Sequence, residues 1–245
     1  MKQYEAVIKT IENLGGIATL GQINQEIFKI ENCEWKTKTP YASIRRIVQI
    51  DKNIYKIKPG LYALAKYRGK FEEQGIIAED REDSENFIEF NHSYYQGLLT
   101  EIGNMKGMHT YVPYQDKNKL FLYQPLKNIA SLENICDFSY SNIVNRAKTI
   151  DVIWFNERKL PSSFFEVEHS SDIQNSLLKF NDLQDFYSNL YIVSSKNRKE
   201  EFIKKINYSS FKEIKERVRF IDYQYVSDLH TKISELKTIE QQMKI

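Results

Sequence analysis

Residues 149–183 read TIDVIWFNERKLPSSFFEVEHSSDIQNSLLKFNDL, and this stretch decides the fold of the larger part of the chain. An apolar run follows Asp151, and after a polar turn a second apolar run carries Glu166 and Glu168 on either side of Val167. The two runs predict a pair of strands joined as a hairpin. Because side chains alternate across a strand, both glutamates are expected on one face and Val167 on the other.

The predicted hairpin brings Asp151 beside the two glutamates, so that three carboxylates converge at the end of an apolar sheet. Such a cluster repels itself unless a cation is present, and hard oxygen ligands suit Mg²⁺ or Mn²⁺. A metal held in this way can activate water and neutralise the charge that develops on a phosphate during hydrolysis. The alternative is that the three acids are unrelated surface residues. The apolar strand around Glu166 and Glu168 counts against it, because unpaired acids are costly there.

The rest of the chain from residue 91 alternates between helical and strand patterns. Helices are predicted at residues 92–105, about 172–188, about 197–206 and about 225–243, and strands at residues 109–113, 120–124, 149–155, 163–169, 190–194 and 218–223. This order predicts an α/β (α+β) fold in which a mixed central sheet is flanked by helices.

The N-terminal region has a different organisation. Apolar residues at helical spacing predict helices at residues 4–14 and 20–30, and Thr39-Pro40 opens a third. Two short alternating segments, residues 54–57 and 61–64, then flank a Lys-Pro-Gly turn, which predicts a β-hairpin. Three helices followed by a hairpin indicate a winged helix, a variant of the helix-turn-helix.

The charge is distributed unevenly along the 245 residues. The formal net charge is +2, but residues 1–67 carry +5, residues 68–90 carry −5 and residues 91–245 carry +2. The change of pattern and these charges together predict a basic winged-helix domain at residues 1–67, an acidic linker at 68–90 and an α/β domain with the carboxylate cluster at 91–245.

The cysteines and the apolar segments bear on the compartment. Cys33 and Cys136 are far apart and neither lies in a CxxC pair, so the sequence supports neither a disulfide framework nor a structural zinc site. No run of about 18 apolar residues and no secretory signal pattern is present. We expect a cytoplasmic protein without a membrane partner.

The order helix, strand with Asp151, hairpin and strand with Glu166-Val167-Glu168 resembles the PD-(D/E)XK nuclease superfamily, over roughly residues 91–225. More narrowly, it resembles restriction endonucleases whose motif ends in Glu rather than Lys. The resemblance implies that Asp151 and Glu166 bind the metal and that the Val167 carbonyl is a further ligand. Glu168 takes the position that the family normally gives to the catalytic lysine.

Because Glu168 stands at the lysine position, the sequence leaves open which residue supplies the positive charge of the motif lysine. The motif lysine orients the attacking water and stabilises the transition state, whereas Glu168 can act as a base or bind metal. Lys179, on the helix after the strand, is the second candidate, since some members of the superfamily relocate the lysine to that helix. The resemblance also implies that Glu101, on the first helix of the domain, reaches the metal site; its alternative is an exposed helix-surface acid.

The N-terminal region resembles the HARE-HTH winged-helix domain over about residues 3–66, through AVIKTIENLGGIATLGQI, TPYASIRRIVQ and IYKIKPGLYAL. The resemblance implies that the third helix enters the major groove of DNA, where Arg suits guanine and Gln suits adenine. The implied DNA-facing residues are Tyr41, Ser43, Arg45, Arg46 and Gln49, with phosphate contacts from Lys36, Lys38, Lys56 and Lys58.

Together these patterns predict a type II restriction endonuclease that cuts double-stranded DNA with Mg²⁺, for which Mn²⁺ can substitute. A cognate methyltransferase would be its genetic partner. Because each chain carries one carboxylate cluster, a double-strand break requires a homodimer or two sequential nicks. Two alternatives stay open. One is a modification-dependent endonuclease. The other is a non-catalytic DNA-binding regulator on a decayed nuclease fold, which remains an alternative because the motif lysine is missing.

Overall fold

The computed structural model describes the backbone of residues 1–76 and 85–243, with side chains from residue 90 onward in the second stretch. The predicted acidic linker, residues 68–90, falls in part on residues 77–84, outside the described residues. The fold is mixed α/β, and its central sheet is mixed and flanked by helices, as predicted. No helix in the described part of the chain is long and apolar enough to cross a membrane.

The chain divides into two compact units. The first consists of Met1–Phe87 together with Ser227–Ile245, and the second is Ile88–Val226. The division differs from the predicted domains in that the C-terminal segment belongs with the N-terminal unit. The sequence prediction includes that segment in the domain at 91–245, because an amphipathic pattern shows that a helix packs but does not show which element it packs against.

The first unit contains three helices and a three-stranded antiparallel sheet of order β1-β3-β2, followed by a short fourth helix. The bounds are α1 Gln3–Asn13, β1 Ile17–Thr19, α2 Leu20–Glu26, α3 Pro40–Ile50, β2 Ile54–Lys58, β3 Leu61–Leu64 and α4 Arg68–Glu73. Thr19 begins α2 as a capping residue, because its hydroxyl accepts the N–H of Gln22 at 3.1 Å. The strand β1, which we did not predict, has only three residues and pairs with β3.

The second unit is built around a five-stranded sheet of order β10-β9-β8-β7-β4. Its helices and strands are α5 Glu85–Met105, β4 His109–Tyr111, β5 Leu120–Phe121, β6 Gln124–Pro125, α6 Ser141–Ala147, β7 Val152–Phe155, β8 Pro161–Glu168, α7 Ile173–Asn181, β9 Asn189–Ser194, α8 Lys199–Ile206 and β10 Val218–Asp222. The last helix, α9 Tyr223–Met243, begins in this unit but belongs to the first unit from Ser227 onward. Strands β8, β9 and β10 are parallel, whereas β7 is antiparallel to β8 and to β4. The predicted β7–β8 hairpin is therefore present.

The central sheet has an apolar layer on each face. On one face, residues such as Phe164 and Ile192 pack with Leu177 and Phe180 of α7. On the other face Trp154 packs against Phe165 and donates its indole N–H to the carbonyl of Leu99 in α5, at 3.0 Å. The two layers fix β7 and β8 between α7 and α5.

Three segments of the second unit differ from the sequence prediction. The predicted strand at 120–124 is a two-stranded hairpin, β5–β6, because Leu122 adopts a positive φ of 55° and turns the chain. The helix predicted to reach residue 188 ends at Asn181, after which Leu183 bonds to the carbonyl three residues back. The seven-residue helix α6 was not predicted, because so short a segment shows little periodicity.

Candidate functional site

The register of the β7–β8 hairpin brings the predicted carboxylates together. Val152 lies opposite Phe165, so one step further along the ladder Asp151 lies opposite Glu166. Glu166 and Glu168 share a face because they are two residues apart. All three carboxylates are buried, with 7%, 2% and 4% of the residue surface exposed for Asp151, Glu166 and Glu168 respectively. Burial of three acids in one place requires compensating donors or cations.

Asp151 is held by two donors on one carboxylate oxygen. The backbone N–H of Val167 donates to Oδ2 at 2.7 Å, and Nε2 of His92 lies 3.2 Å from the same oxygen. Burial alone would raise the pKa of Asp151, but His92, Lys179 and the Val167 N–H together hold that pKa below its ordinary value. Burial likewise opposes protonation of His92, yet the Asp151 carboxylate outweighs it and raises the pKa of the imidazole.

Glu166 is paired with Lys179 of α7. The Lys179 ammonium lies 2.8 Å and 3.0 Å from the two carboxylate oxygens, and it also donates to the carbonyl of Thr149 at 3.0 Å. One turn earlier on the same helix, the Ser176 hydroxyl donates to Glu166 at 2.8 Å. Asp172 begins the helix by accepting the N–H of Gln174 at 2.8 Å, which sets the face that α7 presents to the sheet.

The charges around Glu166 oppose one another. Burial and the neighbouring Asp151 carboxylate raise the pKa of Glu166 to about 8, although Lys179 and Ser176 favour its ionised form. For Lys179, burial favours the neutral amine, but Glu166 and Asp151 outweigh it and raise the pKa of the ammonium. The ammonium therefore carries its charge at neutral pH, in contact with the carboxylate site.

Glu168 occupies a different environment on the same strand. Its carboxylate accepts the hydroxyl of Ser171, and the Ser176 oxygen lies within hydrogen-bond distance of both Glu168 and Glu166, so that its single proton serves one of the two carboxylates at a time. Its backbone carbonyl accepts the Tyr223 hydroxyl at 3.1 Å and the Ser194 hydroxyl at 2.5 Å. The Glu168 carboxylate thus contacts neutral hydroxyls, whereas the Glu166 carboxylate contacts the Lys179 ammonium.

The donor set of the site fits a divalent cation. Asp151 and Glu166 offer hard carboxylate oxygens, which are the ligands that Mg²⁺ and Mn²⁺ prefer. In an extended strand the N–H and C=O of one residue point to the same side. The Val167 N–H is directed at Asp151, so the Val167 carbonyl is expected on the same side of the strand, and its role as a further ligand stays a prediction.

Three residues at this site, Gln96, Asp116 and His92, were missed by sequence reasoning. Gln96 of α5 donates to the Asp151 backbone carbonyl at 3.1 Å and to Asp116 Oδ2 at 2.8 Å. Asp116 lies in a single helical turn after β4, and His92 lies one turn before Gln96 on α5. The four histidines show no ligand spacing in the sequence, and nothing in the local pattern marks Asp116.

Glu101 lies on α5 as predicted, but on another side of the helix. Nine residues separate it from His92, which is about two and a half turns, so the two side chains leave the helix in opposite directions. His92 is the residue of this helix that contacts Asp151. A role for Glu101 at the site stays a prediction.

In the first unit, the residues predicted to face DNA divide between two sides of α3. Arg46 and Gln49 are exposed, and Ser43 is half-buried. Arg45 instead pairs with Glu235 of α9 at 3.5 Å, and Tyr41 packs against Phe28. A surface cavity of about 490 Å³ between α3 and α9 includes both Tyr41 and Arg45 in its lining.

The predicted phosphate contacts also divide. Lys36, Lys38 and Lys56 are exposed, but Lys58 is 1% exposed, which corrects the expectation that it projects from the hairpin. The register of β2 against β3 shifts between Lys56 and Lys58. Because of this bulge, the two lysines do not share a face as strict alternation would require.

The shifted pKa of Glu166 predicts a pH-dependent stability. The folded protein holds a proton on Glu166 up to about pH 8, whereas the unfolded chain releases it near its ordinary value of 4.5. The free energy of unfolding should therefore fall as pH rises from 5 to 8, by up to about 1.4 kcal/mol per pH unit. Urea unfolding in EDTA at pH 5, 6, 7 and 8 measures this slope.

The matched variants are Glu166→Gln and Glu157→Gln, the latter in the exposed turn of the hairpin. Glu166→Gln should remove most of the fall in the free energy of unfolding with pH. A smaller fall above about pH 6.5 should remain, because the raised pKa of His92 also lowers the stability of the folded protein as pH rises. Glu157→Gln should keep the wild-type slope. Equal slopes for the two variants would contradict the assignment to Glu166.

Comparison with known proteins places the chain in a family. A family model of the C-terminal domain of the type II restriction enzyme NmeDI matches residues 77–244. The type II restriction enzyme NmeDI of Neisseria meningitidis serogroup C is 27% identical to the chain over 157 residues, which cover 59% of this chain and 43% of that enzyme. The chain thus matches less than half of that relative's length. No solved structure matches significantly. Since the family match covers more than half of the chain, the protein belongs to the family of the NmeDI type II restriction enzyme C-terminal domain.

Proposed function

We propose that the protein is a sequence-specific DNA endonuclease of the type II restriction kind, which hydrolyses phosphodiester bonds with Mg²⁺, with Mn²⁺ as a substitute. One observation carries the proposal: a charged lysine, Lys179, contacts Glu166 within 3.0 Å beside two further buried carboxylates. Carboxylates for a cation and a fixed ammonium are the groups that phosphoryl transfer needs. Membership of the NmeDI C-terminal domain family supports the same reaction class.

The carboxylate side of the site would hold the cation. Asp151, Glu166 and the Val167 carbonyl are the proposed ligands, in the manner of a PD-(D/E)XK nuclease. When bound, the cation lowers the pKa of water and neutralises charge on the phosphate. The Val167 N–H and His92 orient Asp151, and Ser176 orients Glu166, so both carboxylates are fixed before DNA arrives.

Lys179 takes the role of the motif lysine in this proposal. It reaches the carboxylates from α7 rather than from the strand, and its ammonium keeps its charge at neutral pH. Glu168, which stands at the usual lysine position, is held by Ser171 and Ser176 and carries no positive charge to the phosphate. We assign it the lesser role of positioning Ser176 and the end of β8.

The first unit is the proposed DNA reader, a winged helix of the HARE-HTH kind with α3 in the major groove. Arg46 and Gln49 are the exposed residues of α3 suited to guanine and adenine. Lys36, Lys38 and Lys56 are exposed and can contact phosphates. Arg45 and Tyr41, engaged by Glu235 and Phe28, would serve the packing of the unit rather than base contacts.

The test is digestion of a fully sequenced, unmethylated DNA with Mg²⁺, followed by mapping of the ends. Defined ends at one short motif would support a restriction enzyme, protected in its host by a methyltransferase and acting as a homodimer or by two nicks. Cleavage confined to methylated DNA would favour a modification-dependent nuclease instead. Intact DNA under every divalent metal, with salt-dependent binding, would contradict the nuclease and favour a regulator.

A further inference from the structure

A second group of potential ligands includes Asp151 but not Glu166. His92 comes from α5, Asp116 from the turn after β4, and Asp151 from the start of β7. One donor atom from each of the three lies within 4.8 Å of the other two. Among the described side chains, these three residues meet at a spacing that a single ion can bridge, and one of them contributes a nitrogen.

Gln96 gives an independent indication that a ligand belongs here. Its side chain is 0% exposed, and its amide nitrogen donates to Asp116 Oδ2 and to the Asp151 carbonyl, so the amide group lies at the cluster. Its amide oxygen is buried and has no hydrogen-bond partner among the described residues. Buried polar atoms are rarely left without a partner, and an ion with its water would supply one.

The local charges favour a cation. Asp116 is 2% exposed, and Asp151 is nearly as buried. Lys119 pairs with Asp116 Oδ1 at 2.7 Å, which compensates one of the two carboxylates. A carboxylate oxygen has more than one lone pair, so the bonds from Lys119 and Gln96 leave Asp116 able to bind an ion. Binding of an ion would release the proton that His92 shares with Asp151, and a divalent ion would then compensate the carboxylate charge that remains.

We propose that His92, Asp116 and Asp151 form a second divalent-cation position, which shares Asp151 with the position at Glu166 and the Val167 carbonyl. The inference rests on the proposed function and deepens it, since two ions about 3.5 to 4 Å apart clamp both oxygens of a phosphoryl transfer. The two positions differ in chemistry. One offers oxygen ligands alone, whereas the imidazole of the other favours Mn²⁺ and later transition metals over Mg²⁺.

The test is Mn²⁺ binding to the full chain without DNA. Electron paramagnetic resonance counts the ions bound, and its pulsed form detects a ¹⁴N nucleus coordinated to Mn²⁺. We expect two ions per chain, one of them with nitrogen coupling. His92→Gln should remove the coupling and one equivalent, and Asp116→Asn should weaken that equivalent about tenfold or more. His109→Gln, a change to the histidine of β4, should leave both ions as in the wild type.

Several results would overturn the proposal. The wild-type spectrum needs no variant, so absence of nitrogen coupling at saturating Mn²⁺ rejects the position even where a variant fails to fold. Coupling that persists in His92→Gln rejects it as well. The experiment distinguishes failure of this position from failure of the proposed function. Nitrogen-coupled Mn²⁺ in a protein that cuts no DNA supports the second cation position and contradicts the proposed nuclease. Cleavage with Mg²⁺ but without nitrogen coupling contradicts the second cation position alone.

Discussion

Replacing Asp151 by asparagine is expected to lower the rate of DNA cleavage about 1,000-fold or more, equivalent to at least about 4 kcal/mol of transition-state stabilisation. The amide keeps an oxygen that can accept the Val167 N–H, which now donates to Oδ2 at 2.7 Å, so β7 and β8 should stay in register. What is lost is the negative charge on the residue that both proposed cation positions share. The loss should therefore fall on catalysis and not on folding.

The measurement is single-turnover cleavage with Mg²⁺, alongside DNA binding in Ca²⁺ and urea unfolding. Asp182→Asn is the matched control. Asp182 is an acid of the same unit that follows α7, and its half-exposed side chain pairs with Arg146. Asp151→Asn should bind DNA as the wild type does, and Asp182→Asn should also cut it as the wild type does. Cleavage by Asp151→Asn within tenfold of the wild type would remove Asp151 from the site.

The hairpin that carries the site follows from local sequence. The apolar runs along β7 and β8 predicted two strands, and the polar turn between them predicted their antiparallel pairing, which the structure has. From that pairing alone, Asp151 and Glu166 must face each other. Lys179 could also be predicted from local sequence, since it lies on the polar face of the helix that follows β8. These relations span few residues, and backbone periodicity determines them.

The partners of Asp151 from outside the hairpin could not be predicted. His92 and Gln96 lie 59 and 55 residues away in sequence, and they reach Asp151 only because α5 packs on the sheet. Asp116 sits in a single turn, which has no periodicity to reveal its orientation. Contacts of this kind depend on the tertiary packing of elements that, taken singly, show only which face is apolar.

The first unit shows the same limit. The bounds of α3 and of both hairpin strands follow from local signals, including the proline at the start of α3. The packing of this unit's helices against α9 does not follow from local signals. The hydrogen bond from Asn24 of α2 to Glu235 of α9, for example, joins residues 211 positions apart. Gly21 permits this approach, because a Cβ there would lie 2.6 Å from the Ser234 hydroxyl. Sequence alone therefore predicts Arg45 and Arg46 on one DNA-facing surface, whereas in the structure Arg45 pairs with Glu235 and Arg46 is exposed.

The second large effect is expected for Lys179→Met, which removes the ammonium beside Glu166 while keeping the length of the side chain. We expect cleavage to fall about 100- to 1,000-fold, the usual loss when one preorganised electrostatic donor is removed. Glu168→Gln should cost less than about tenfold, because that side chain is held by hydroxyls rather than by a charge. Single-turnover rates with Mg²⁺ measure both, and the reverse order would assign the role of the motif lysine to Glu168.

Stability measurements separate the catalytic role of Lys179 from its structural one. Without the ammonium, a buried ionised Glu166 has lost its cation, and breaking such a pair costs about 3 to 5 kcal/mol. Because the pKa of Glu166 is already raised to about 8, the loss should be small at pH 6, where the carboxyl is protonated, and larger at pH 9. The double variant Lys179→Met with Glu166→Gln has no buried charge to compensate at that position, so it should regain stability at pH 9. Its cleavage should stay at or below that of Lys179→Met. Because the double variant also lacks a proposed metal ligand, recovery of cleavage along with stability would contradict both the ligand role of Glu166 and the contribution of the Lys179 charge to the reaction.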